Sequence, residues 1–109
     1  MDGTGAERVI EEMVRRIVES FRPEKIILFG SYARGTAGPD SDVDLLVVAA
    51  ASGAKRKLAV QIYRVLAGVG LPKDVIVVTL EEVEKYRDLP GTVIWPALRE
   101  GKVLYERTA

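Results

Sequence analysis

Two short runs, residues 45–48 and 75–78, limit this chain's folds most. Leu45, Leu46, Val47 and Val48, and then Val75, Ile76, Val77 and Val78, are apolar at every position. In a strand, successive side chains face opposite ways, so a run apolar throughout needs cover on both faces of its sheet. Between the runs, Leu58, Ile62, Val65, Leu66 and Val69 recur at helical spacing and predict a helix over 55–69, closed by Gly70 and Pro72. Strand, helix, strand is a crossover unit, which predicts parallel strands over 42–49 and 74–79.

The rest of the chain fits around that unit. Val9, Ile10, Met13, Val14, Ile17, Val18 and Phe21 form a helical stripe over residues 5–21, with Thr4 and Glu7 as a capping box and Pro23 as the stop. Residues 25–29 read as a first strand that ends at Gly30. Gly30, Gly35, Gly38 and Pro39 exclude a long element over 30–41, leaving room for one helical turn at 32–34. Residues 50–53 read as a loop. A charged helix over 81–87, a last helix over 92–100 with Gly101 as its stop, and a final strand over 102–105 complete the order. The 109 residues are expected to form a single domain, 1–109.

Composition removes several kinds of chemistry. The chain has no cysteine and no histidine, so thiolate sites and imidazole acid–base catalysis are excluded, and any metal site is built from oxygen. Sixteen Lys and Arg balance sixteen Asp and Glu. A neutral chain exerts no general pull on nucleic acid or on an anionic membrane, so direct nucleic-acid binding is not expected. No apolar run reaches the ~20 residues of a membrane span. The acidic N-terminus lacks the pattern of a signal peptide, and a cytoplasmic location is expected.

The acidic residues of the crossover unit are placed in a costly way. Asp42 and Asp44 are two apart, so both project from one face of a strand. Asp74 opens the parallel strand, and in register it would meet them at one sheet edge. At ~5 Å and an effective dielectric of ~20, each like-charged pair costs about 3 kcal/mol. A divalent cation reverses that sign, and Mg²⁺ shares its oxygen shell with substrate phosphates. The plainer reading, a capping Asp42 and a solvated Asp44, fits less well with Asp being disfavoured in strands.

Gly30-Ser31 follows the first strand directly. Glycine permits close backbone approach, and a serine hydroxyl at a helix start suits a phosphate, although a plain strand-ending turn reads the same way. Arg34 is a candidate for a phosphate or for a local carboxylate. Lys55, Arg56 and Lys57 open the second long helix, as a solvated end or as a phosphate contact. Tyr63 on that helix reads as packing, with self-modification as the alternative.

Taken together, Gly30-Ser31, ten intervening residues and Asp42-Val43-Asp44 resemble the signature of polymerase-β-like nucleotidyltransferases. The run Gly30-Ser31-Tyr32-Ala33-Arg34-Gly35, then Ser41-Asp42-Val43-Asp44-Leu45, and the tail Arg99-Glu100-Gly101-Lys102-Val103-Leu104-Tyr105 are similar to the minimal nucleotidyltransferase branch, which includes MntA-type antitoxins. The resemblance implies an α+β fold, with a mixed sheet flanked by helices. It implies that Asp42, Asp44 and Asp74 are the catalytic acids and share Mg²⁺, two ions in all, with Asp74 as the third acid near the attacking hydroxyl. Gly30, Ser31 and Arg34 would bind the triphosphate of ATP. The implied reaction is transfer of AMP to a hydroxyl on a HEPN-domain toxin. A domain this small is expected to take its acceptor site from another protein or from a second copy in a homodimer. Two other readings stay open: a toxin-neutralising or nucleotide-binding module without catalysis, and a nucleotidyltransferase acting on a small molecule or RNA.

Overall fold

A computed structural model describes residues 4–50 and 55–108 of the chain. The loop expected at 50–53 lies mostly outside the described residues, as does the Thr4 side chain on which the expected capping box depends.

The elements are α1 (Thr4–Phe21), β1 (Lys25–Phe29), α2 (Ser31–Arg34), β2 (Val43–Ala49), α3 (Lys55–Val65), β3 (Lys73–Thr79), α4 (Leu80–Tyr86), α5 (Ile94–Glu100) and β4 (Lys102–Glu106). The strands form one sheet in the order β3-β2-β1-β4. β2 and β3 are parallel, as the crossover requires, and β1 runs antiparallel to both β2 and β4. The result is the mixed α+β architecture expected from the sequence.

Strand alternation divides the core. Val43, Leu45 and Val47 of β2, with Ile26, Leu28, Val75 and Val77, pack under Ile10, Met13 and Ile17 of α1 and Ile62 of α3. Leu46 and Val48, with Ile27 and Val78, face Ile94 and Ala97 of α5. Both faces of β2 are therefore dry, which explains why its sequence does not alternate.

Two helices are shorter than their apolar stripes. α3 ends at Val65, because Gly68 and Gly70 take positive φ and unwind the last turn, yet Leu66 stays fully buried. Arg16 of α1 donates to the carbonyls of Val65 at 3.0 Å and Ala67 at 3.1 Å, closing that frayed end. α5 starts at Ile94, and the Thr92 hydroxyl accepts from the Trp95 amide at 3.3 Å just ahead of it.

Candidate active site

The sheet register brings the predicted residues to one place. Phe29 of β1 is opposite Asp44 of β2, and Asp44 is opposite Asp74 of β3. Register partners share a face, and adjacent strands lie ~4.8 Å apart. The row Phe29–Asp44–Asp74 therefore continues the stripe of Leu46, Val48 and Val78 past the cover of α5. Asp42 precedes β2 and is exposed, Asp44 is half-buried, and Asp74 is exposed on the edge strand.

Gly30 leaves β1 beside that row at φ 78°, ψ −155°, a backbone conformation that is essentially confined to glycine. A Cβ there would overlap Asp44 Oδ2 and lie 3.1 Å from its Cγ. The absent side chain is thus the space the carboxylate occupies. The Gly30 carbonyl accepts from the amides of Ala33 and Arg34, both at 3.1 Å, which winds Ser31–Arg34 into α2. No side chain caps the start of that turn.

Electrostatics agree with the geometry. The Asp44 carboxyl is held above the usual carboxylate range, by burial first and then by the charges of Asp74 and Asp42. Arg34 pulls in the opposite direction, so its guanidinium stands within the field of the site, although it is exposed and 3.9 Å from Glu100. The repulsion inferred from the strand spacing is therefore present. It stops short of a preassembled metal cage: among the described residues, no group of three or more His, Cys, Asp or Glu could hold a metal ion. Asp74 sits at the open edge, beside the Tyr63 hydroxyl at 3.4 Å. An all-oxygen pair of carboxylates whose charge Arg34 offsets only in part still fits Mg²⁺, which is usually held by one or two carboxylates plus phosphates and waters.

Two other features fall elsewhere. Lys55 is engaged by Glu82 at 2.8 Å, so of the basic trio only Arg56 and Lys57 point to solvent. A cleft of about 600 Å³, lined by Ile10, Leu28, Tyr32 and Leu104 among others, contains none of the three acids. The acidic row is an open shelf. Sequence reasoning missed the place of Tyr63: its hydroxyl accepts from the Val75 amide at 2.7 Å and meets Asp74. Nothing in the helical periodicity signals that reach around the sheet edge.

A glycine turn set against paired carboxylates on adjacent strands is the frame of a phosphate-handling domain. The chain belongs to the nucleotidyltransferase domain family, whose sequence profile matches residues 9–96. Two Methanocaldococcus jannaschii proteins, assigned by inference as protein adenylyltransferases, are similar to it. One is 47% identical over 51 residues, 45% of this chain and 35% of the relative. The other is 48% identical over 44 residues, 38% of this chain and 44% of the relative. The matched stretches thus span less than half of each curated relative. A crystal structure of an inferred nucleotidyltransferase from Sulfolobus solfataricus superposes with a TM-score of 0.62 at 21% identity, over 97% of this chain and 91% of that one. A toxin–antitoxin structure with AMP-PNP gives 0.50 at 26% identity, over 94% and 74%. A tri-AMPylated Shewanella oneidensis HEPN toxin in complex with an MNT antitoxin gives 0.52 at 20% identity, over 93% and 72%.

Proposed function

We propose that this domain transfers AMP from ATP to a hydroxyl of a partner protein, and that the partner is a HEPN-domain toxin which the modification silences. The observation that carries the reading is the register of Asp44 against Asp74 with the bare Cα of Gly30 against Asp44. The kind of acceptor is supported by the names of the curated relatives and by the AMPylated toxin in a structure of like fold.

In this reading, Gly30 and Ser31 bind the triphosphate. The glycine lets the Asp44 carboxylate lie against the backbone that leads into α2, where the Ser31 hydroxyl and the amides at the start of the turn donate to phosphate oxygens. Arg34 offsets phosphate charge from the rim. Asp42 and Asp44 would hold Mg²⁺, which when bound would neutralise phosphate charge and polarise the α-phosphorus. Asp74, one strand over, takes the proton of the acceptor hydroxyl. The hydroxyl oxygen then bonds to the α-phosphorus, the bond from that phosphorus to the bridging oxygen breaks, and pyrophosphate leaves. Phe29 walls the opposite side of Asp44.

The test is the intact mass of a HEPN-domain protein from the same genome, co-expressed with this chain. Added AMP is expected with the native sequence and no addition with Asp44→Asn. An unmodified HEPN protein beside the native chain would end the proposal.

A further inference from the structure

We propose that Tyr63 is a positioning residue for this transfer: its hydroxyl, fixed on the β3 backbone, holds the Asp74 carboxylate where the acceptor's proton arrives. The inference rests on the role assigned to Asp74 above. Tyr63 lies on α3, the helix that carries the chain from β2 to β3. β3 is an edge strand, paired among the described residues with β2 alone. The Val75 amide donates to Tyr63 Oη at 2.7 Å, and Oη lies 3.4 Å from Asp74 Oδ1.

A phenol has one proton and acceptor lone pairs. The Val75 amide uses a lone pair, so the proton remains free, and Asp74 Oδ1 is the acceptor within reach. The short bond ties Oη to a strand whose Val75 side chain is buried. The long bond then orients a carboxylate that, on an exposed edge, would otherwise sample its rotamers freely. Catalytic hydrogen bonds are often long without substrate and tighten in the reacting complex. A base held in line with its hydroxyl contributes through geometry, and a small misplacement there costs rate and leaves substrate binding alone.

The test uses the full chain, ATP with Mg²⁺, and the same HEPN-domain protein as acceptor. Tyr63→Phe keeps the ring over the edge and deletes the hydroxyl. It is expected to lower kcat about tenfold with the KM for ATP unchanged. In an Asp74→Glu background, where the carboxylate sits one methylene away from its usual place, Tyr63→Phe is expected to cost little more. A native kcat in Tyr63→Phe overturns the proposal. So does a loss that is equal in both backgrounds or lies mainly in KM, because the effect then runs through the strand edge. AMP found on Tyr63 itself also overturns it, making the residue an acceptor. A native chain that modifies nothing removes the transfer reading and this inference together, which separates that failure from a failure of Tyr63 alone.

Discussion

At the scale of single residues, Gly30 and Asp44 share one volume. Substituting Gly30→Ala puts a Cβ into the Asp44 carboxylate and forces a non-glycine residue to φ 78°. Backbone in that region costs about 1–3 kcal/mol, so a lower urea midpoint is expected together with loss of AMP transfer. Asp44 supplies a second prediction, with opposite signs for stability and activity. Its carboxyl is raised in the fold by burial, Asp74 and Asp42. The folded state therefore holds a proton that the unfolded chain has released, and stability falls as pH rises from the ordinary carboxylate range through the raised value. Asp44→Asn removes that loss. It is expected to melt higher than the native chain at neutral pH, to converge with it below the carboxylate range, and to be inactive. A lower neutral-pH melting temperature for Asp44→Asn would contradict the repulsive site. These residues are legible in the sequence because their chemistry is costly: acids do not open a buried strand without a use. Tyr63 was not legible as part of the site, because a helical residue gives no sign of which strand edge it will cross.

Between elements, side chains of one close the ends of another. Arg16 is held by Glu12 at 2.8 Å and caps the final carbonyls of α3. Hydrogen bonds from a charged donor contribute about 1.5–3 kcal/mol each before exposure is discounted. Arg16→Met, which keeps the stem, is expected to cost about 1–2 kcal/mol in urea unfolding and to speed amide exchange at the end of α3. Arg15 and Arg16 hold the Glu12 carboxyl at about 2. That contribution is present at neutral pH and is lost as pH falls from the ordinary value toward 2, so Glu12→Gln is expected to flatten the acid side of the stability curve. The helix interiors were legible from their periodicity, whereas the ends were set by tertiary contacts. The shortened α3 is the clearest case, since its stripe runs on through Leu66 while Gly68 and Gly70 break the backbone. The start of α4 carries its own sequence signal: Thr79-x-x-Glu82 is a capping-box pattern, and the structure forms it, Thr79 Oγ1 accepting from the Glu82 amide at 3.1 Å and Glu82 Oε1 from the Thr79 amide at 2.9 Å.

For the molecule as a whole, the parallel crossover followed from composition and order, but the place of β4 did not. Five residues with charged ends (Lys102 to Glu106) could pair with either edge of the sheet. β4 lies beside β1 because Gly101 turns the chain tightly under it, where a Cβ would meet Ile27 Cγ2 at 2.6 Å and the Leu28 carbonyl at 2.9 Å. That arrangement leaves β3 as the opposite edge and so leaves the acidic row open at Asp74. With no net charge to attract nucleic acid, what the shelf gathers is set by its own three acids and the glycine turn. A cation relieves its stored repulsion and in turn takes phosphate oxygens into its shell, which makes ligand linkage a test of the entire site. Mg²⁺ with AMP-PNP at 100-fold over its dissociation constant would stabilise the fold by about 2.7 kcal/mol, a rise in melting temperature on the order of 10 °C for a domain this size. Chelation of the metal is expected to reverse the shift, and Asp44→Asn to abolish it while still melting as a folded protein. Differential scanning calorimetry that finds the same shift in Asp44→Asn, or none in the native chain, would place the nucleotide away from the shelf and leave the acidic row without a ligand.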